Sequence, residues 1–299
     1  MTTLDQLTRP ATGLVRAAVR PTTYTGHLRE LSSVAVTATM WPFGFAGASL
    51  PPADDRRDTV ASPVLLLHGY GANKSNWLYV NHQLRQGGFR RLHAFNYNPL
   101  SGDIRELAAR CVAEAEALRA HLGAERIHLV GHSLGGLIAR YAVQVLGLRD
   151  VGVCATVASP HHGLAPARLS SLVGGFGPSR SVHDLRPGSE VMGQLRTSVP
   201  PSRTRFVAYY SNLDLVVPAS RARITDDVVL AENVLVKDHG HLSIMLSRRL
   251  CGSLVEQLTQ SEAVHDSMAG PIVGRVGSSP PMGSSTNRDG VPSGDRADA

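Results

Sequence analysis

The chain has 299 residues, 42% hydrophobic and 18% charged, enough for one large domain with a substantial core and less ordered ends. Its net charge of +6 is almost all arginine, scattered singly or in pairs with no basic run interleaved with aromatics, so nucleic acid is not an expected partner. Three cysteines (Cys111, Cys154 and Cys251) at no zinc-like spacing argue against a disulfide scaffold and favour a reducing compartment.

Residues 1–60 read as an N-terminal extension. No charged region there is followed at once by an apolar core and a small-residue cleavage site, so no standard secretory leader is read. A cytoplasmic or peripheral-membrane location is expected, with secretion by another route left open. The uncharged stretch Leu31 to Pro52 approaches spanning length, but Ser, Thr and Gly are frequent and Pro42 interrupts it. It is expected to be partly helical, either packed on the domain or lying at a membrane surface through residues 31–50, with Trp41 and Phe43 as anchors.

Regular patterning begins at Ser62. "PVLLLHGYG" is an apolar run closed by glycines, as in a strand buried on both faces. Trp77 to Gln86 reads as a helix and "RRLHAFNY" as a short strand. The next helix takes Ser101 or Asp103 as N-cap and stops at Gly123. "RIHLVG" is a strand, Leu134 to Leu146 a helix, and "VGVCATVAS", "TRFVAYYS" and "ENVLVKD" are further strands. Leu242 to Leu258 is a last helix. The alternation predicts an α/β domain over residues 61–260, a mostly parallel sheet with helices on both faces. A loop-rich insertion at about 163–203 breaks the rhythm and reads as a short cap or lid, with "LVGGFGPS" as its hinge. Residues 261–299 are rich in Gly, Ser and Pro and read as a disordered tail.

Within "HLVGHSLGGLIARYA", Ser133 stands where a buried strand meets a buried helix. In an open parallel sheet, ligands bind at the carboxyl ends of the strands. G-x-S-x-G in this strand–turn–helix setting is a nucleophile elbow, with Gly131 and Gly135 giving room for strand and helix to pass. A serine nucleophile needs a base, and the base needs an orienting acid. In this fold the chain order is Ser, acid, His. Asp214 follows the end of one strand, and His241 follows the next strand. Asp226, Asp227 and Asp238 are rival acids, of which Asp226 and Asp227 look like a hairpin turn. His239 is the rival base; His241 is favoured because Gly240 permits a tight turn and a helix follows. An oxyanion hole is expected from the backbone N–H groups of Leu134 and Tyr70, the latter in a loop shaped by His68 and Gly69.

Two other motifs fail on spacing. "HGYGANKS" lacks the glycines of a phosphate loop. His161, His162, His239 and His241 have no metal-ligand spacing. No metal and no cofactor is expected.

The pieces "LLHGYG", "GHSLGG", "ASPHHG", "YYSNLDLVVP" and "HGHLSIM", over roughly residues 62 to 250, together resemble the lipase and esterase branch of the α/β-hydrolase family, particularly bacterial triacylglycerol lipase-like proteins. The resemblance implies the α/β-hydrolase fold, with Ser133 as nucleophile, Asp214 as acid, His241 as base, and Tyr70 and Leu134 as oxyanion donors. His132 lies within its "GHSLGG". It also implies that "SPHHG", with Pro160 and His161, lines the site without acting in catalysis. The substrate it implies is a carboxylic ester, often of a fatty acid. A lipid acyltransferase or thioesterase using the same triad is the alternative, and a non-catalytic binding protein of the same fold a third reading.

Overall fold

The structure is a computed structural model, and the residues it describes are 21–45, 62–166, 168–169, 179–201 and 203–269. Six strands form one sheet: β1 (Val64–Leu67), β2 (Leu92–Phe95), β3 (Ile127–His132), β4 (Val151–Val157), β5 (Arg205–Tyr210) and β6 (Ala231–Leu235). Their order is β2-β1-β3-β4-β5-β6, and each neighbouring pair is parallel. Strand order reverses between β1 and β3, which opens a crevice at their carboxyl ends. The loop after β1 and Ser133 after β3 both lie there.

The central strands are continuous apolar runs because helices cover both faces. Alternate residues sort to the two sides. Leu65, Leu67, Leu129, Cys154 and Phe206 pack with α3 (Ile104–Leu122) and α4 (Leu134–Gln144). Val64, Leu66, Val130, Val153 and Val207 pack with α2 (Leu78–Gln86) and the last helix, α8 (Arg248–Ala269). Asp103 resolves the choice of cap on α3: its Oδ1 accepts from Glu106 N–H at 2.9 Å, and Gly123 ends the helix at φ 58°. All three cysteines are free and buried, on α3, β4 and α8.

The structure differs from the sequence reading in several described places. The stretch Leu242 to Leu258 is not one helix: a 3-10 turn over Ser243–Leu246 comes first, and α8 starts at Arg248, where Ser247 accepts from Cys251 N–H at 3.1 Å. That helix runs on to Ala269, so residues 261–269 are helix rather than tail. The expected disorder beyond 269 lies outside the described residues. Asp226 and Asp227 do sit in a turn, but β5 and β6 are parallel, so the turn belongs to a crossover and not to a hairpin.

Before the sheet comes α1 (Pro21–Met40), followed by a 3-10 turn at Trp41–Phe45. The helix faces the domain with Gly26, Glu30, Ser33 and Thr37, while Tyr24, Leu28 and Leu31 are 71%, 61% and 68% exposed. Trp41, read as a membrane anchor, instead donates its Nε1–H to Gly71 O at 3.0 Å. Residues 46–50 of the suggested membrane segment lie outside the described residues. Among the described residues no helix is long and apolar enough to cross a membrane.

Within the insertion, α5 (Arg180–Asp184) and α6 (Glu190–Thr197) are described, while residues 170–178, with most of the suggested hinge, are not; a single turn, α7 (Ala219–Ala222), follows β5. Val182, Leu185, Val191, Met192 and Leu195 are buried in the same cluster as α3 and α4. Asp184 accepts from Ile104 N–H at 2.8 Å, which fixes α5 to the start of α3.

Candidate active site

The last residues of β3 lead straight into α4, and Ser133 makes the turn at φ 54° and ψ −120°. An L-residue adopts this conformation only under constraint. Here the constraint is close packing of backbone on backbone. A Cβ on Gly131 would stand 2.4 Å from Gly135 C and O, and one on Gly135 would stand 2.2 Å from Leu67 O. Glycine at both positions lets the start of α4 press against β1 and β3. Ser133 N–H donates to Val157 O at 2.8 Å, tying the turn to the end of β4.

The structure brings together the three candidate residues that the sequence separates. His241 Nε2 lies 3.0 Å from Ser133 Oγ, and His241 Nδ1 lies 2.8 Å from Asp214 Oδ2. The assignment that satisfies both puts a proton on Nδ1, donated to the carboxylate, and leaves Nε2 to accept from the hydroxyl. Asp214 is aimed by its own loop, with Oδ1 accepting from the N–H groups of Val216 and Val217 at 2.9 and 2.8 Å. All three side chains are buried. Burial alone would push the His241 pKa down, but the Asp214 carboxylate outweighs it, and the pKa lies above 6.5.

The rival residues go elsewhere. Asp226 pairs with the fully buried Arg140 at 2.7 Å. Asp238 accepts from Asn212 Nδ2, and Asn212 Oδ1 accepts from Asp238 N–H. His239 is half-buried and donates from Nδ1 to Lys237 O at 2.7 Å.

The loop after β1 runs beside the serine, as expected for oxyanion donors. A Cβ on Gly69 would lie 3.1 Å from Ser133 Cβ. Tyr70 follows in that loop, and Leu134 opens α4, whose N-terminus faces the same space. His68 is buried, stacked on Tyr97 at 4.3 Å, and its Nε2 has no hydrogen-bond partner among the described residues. Burial lowers its pKa to about 4, so it stays neutral. His132 packs against His241 with ring centres 4.9 Å apart. It donates from Nε2 to His241 O at 3.0 Å and accepts on Nδ1 from Asn76 at 3.3 Å. Burial, with His241 beside it, lowers its pKa to about 3. Pro160 and His161 are buried in the loop after β4. His161 bonds Thr156 Oγ1 at 2.9 Å and approaches Arg140 Nη1 at 3.4 Å.

Sequence reasoning missed Glu30, Asn76, Tyr97 and the Arg140–Asp226 pair. Only the pair left a trace: an arginine inside the otherwise apolar and small "LGGLIARYA" has to meet a carboxylate.

The model for the alpha/beta hydrolase family matches residues 64–252. A triacylglycerol lipase of Burkholderia plantarii is 29% identical over 151 residues, 44% of this chain and 42% of that protein. A dihydrolipoyllysine-residue acetyltransferase component of the acetoin cleaving system of Pseudomonas putida is 29% identical over 133 residues, 42% of this chain and 34% of that protein. The chain thus spans between a third and a half of these relatives. The mature lipase BlEst2 of Bacillus licheniformis has a similar fold, with a TM-score of 0.52 at 19% identity over 66% of this chain and 93% of that one.

Proposed function

The chain belongs to the alpha/beta hydrolase family, and from that premise we propose that it is a carboxylic-ester hydrolase working through Ser133, His241 and Asp214. The observation that carries the reading is the continuous contact from Ser133 Oγ through the His241 ring to the Asp214 carboxylate, at 3.0 and 2.8 Å.

The Ser133 hydroxyl attacks the ester carbonyl while His241 Nε2 takes its proton. Asp214 holds the Nδ1–H tautomer and stabilises the imidazolium. The tetrahedral oxyanion is received by the backbone N–H groups of Leu134 and Tyr70, aided by the α4 N-terminus; each such donor contributes about 3 kcal/mol to the barrier reduction. His241 then gives the proton to the departing alcohol. Water, deprotonated by His241 in turn, releases the acid and restores the serine.

A cavity of about 330 Å³ opens beside the same loop, lined by Gly71, Ala72, Tyr97 and Leu100 together with Asn73, Asn96 and Asn98, and none of the three triad residues lines it. The exposed Tyr24, Leu28 and Leu31 of α1 support peripheral contact with a lipid surface that would supply esters.

The test is hydrolysis of p-nitrophenyl esters of short, medium and long acyl chains by wild type and Ser133→Ala, with fluorophosphonate labelling of both. Serine-dependent turnover is expected, and the preferred chain length reads the depth of the acyl site. Equal turnover by the two proteins would sink the scheme.

A further inference from the structure

Helix α1 lies outside the family match, which begins at Val64, yet its inner face meets the loops that carry Asp214 and His241. A Cβ on Gly26 would stand 2.4 Å from Leu213 Cδ1, beside Asp214. One turn further, Glu30 reaches the backbone just beyond His241. Its Oε1 accepts from Leu242 N–H at 2.8 Å and its Oε2 from Ser243 N–H at 2.9 Å. Gly240, on the other side of His241, leaves room for this carboxylate, since a Cβ there would come within 2.3 Å of Glu30 Oε2. Gly240 is not among the glycines with positive φ, so the close approach, and not the turn, requires glycine.

We propose that Glu30 is a positioning residue for ester hydrolysis: its carboxylate clamps the loop behind His241 and holds the imidazole in line between Ser133 and Asp214. The inference rests on the reading of His241 as the base. Two charge-assisted hydrogen bonds to consecutive N–H groups fix the backbone that carries the ring. The reaction tolerates little displacement of the ring, since a shift of about 1 Å at a reacting group can cost on the order of a hundredfold in rate. The charge acts as well. The groups facing His241 are Asp214, Ser133, His132 and Glu30. His132 is held neutral, so Asp214 and Glu30 are the charges the imidazolium feels, and both favour it against burial.

A merely structural helix contact would set stability alone. A clamp also sets kcat and the pKa of the base. Wild type, Glu30→Gln and Glu30→Asp are compared as full chains, with active sites counted by fluorophosphonate. Glu30→Gln keeps the shape and removes the charge. Its kcat per active site should fall by about tenfold or more with KM little changed. The acid limb of its kcat/KM profile should move to lower pH. Glu30→Asp keeps the charge on a shorter arm, so its kcat should be partly restored and its limb should stay near that of wild type. Should Glu30→Gln not fold, Glu30→Asp decides by a lowered kcat per site. An NMR titration of the His241 ring reads the same pKa without turnover, so it decides on Glu30 even where a protein inert to esters and fluorophosphonate has overturned the hydrolase reading. Wild-type kcat per site together with an unmoved limb or ring pKa in Glu30→Gln would overturn the clamp.

Discussion

At Ser133 the backbone is held at φ 54° by its surroundings, and the hydroxyl is placed within hydrogen-bonding distance of one imidazole nitrogen. On the proposed mechanism, removing that hydroxyl removes the nucleophile that forms the acyl-enzyme. Ser133→Ala should therefore lower kcat by up to about a millionfold. Asp214→Asn keeps the shape but favours the wrong tautomer of His241, and should cost on the order of ten-thousandfold. Both are read from p-nitrophenyl ester turnover at saturating substrate. The pH dependence follows from the same ring. His241 must be neutral to accept the serine proton, and its pKa is raised above 6.5. Activity should fall on acidification, with the acid limb displaced upward from the ordinary histidine range. Stability runs the other way. A raised histidine pKa favours the protonated folded state, so this increment is fully present below pH 6.5 and is lost as pH rises through the folded-state pKa. The lowered pKa values of His68, His128 and His132 oppose this increment, so it is read as the difference between the melting series of wild type and His241→Asn over the same pH range. Ser133, Asp214 and His241 stand out as candidates in the sequence because each follows a strand, and an elbow serine leaves a glycine signature. The order of Asp214 and His241 along the chain narrowed the rivals. Their pairing was visible only in three dimensions.

At the scale of elements, the β3–α4 junction depends on glycines that no other residue can replace without moving backbone. A Cβ at Gly135 would meet Leu67 O at 2.2 Å and His68 O at 2.5 Å, both main-chain atoms with no side-chain rotation to relieve them. Gly135→Ala should cost about 3 kcal/mol or more, or prevent folding, as read by urea denaturation. Further along α4, Arg140 is fully buried, with Nη2 2.7 Å from Asp226 Oδ2 and 3.0 Å from Leu195 O, and Nε 2.8 Å from Gln144 Oε1. It joins α4 to α6 and to the β5–β6 crossover. Asp226→Ala leaves this guanidinium uncompensated and should destabilise by about 3–5 kcal/mol, while the double variant Arg140→Met, Asp226→Leu should recover most of that loss. Denaturation of the two variants side by side separates an uncompensated charge from a lost contact. The elements themselves were legible where apolar periodicity carries the burial, as in the runs of β1, β3 and β4. Helix α1 defeats that logic. It turns Gly26, Glu30, Ser33 and Thr37 inward and leaves Tyr24, Leu28 and Leu31 outside, so no apolar stripe marks its docking face. The break at Ser247 was hidden because no proline or glycine marks it, and Ile244, Met245, Leu250 and Cys251 on its two sides keep a helix-like apolar spacing.

Over the whole molecule, the domain is closed by a residue that composition assigns to the tail. Glu262, in the last turns of α8, accepts from Ser62 N–H and Ser62 Oγ–H at 2.9 and 2.8 Å, just before β1 begins. It also lies 2.8 Å from Nε2 of the buried His128 on β3. His128 Nδ1 accepts from Val153 N–H at 3.1 Å, so Nε2 carries the proton and the ring is neutral. One carboxylate thus binds the start of the domain, the centre of the sheet and the final helix. A single glutamate in a polar sequence gave no hint of this, since its partners are contributed by residues far away in the chain. Burial opposes its ionisation, but the bond from His128 and those from Ser62 prevail, and its pKa falls from 4.5 to about 2. A depressed carboxylate pKa contributes stability that is fully present above pH 4.5 and is lost as pH falls toward 2. His128 adds to the acid loss, because its own pKa is lowered by burial and the unfolded chain takes up that proton first, from below pH 6.5. At neutral pH Glu262→Gln should cost about 1.5–3 kcal/mol, the worth of hydrogen bonds to a charged group. On acidification the wild type should then lose its lead over Glu262→Gln between pH 4.5 and 2, while the loss due to His128 remains in both. Urea unfolding of the two proteins at pH 7, 5, 4 and 3 checks this, and two curves that stay parallel across the series would show that Glu262 closes the domain by packing and not by charge.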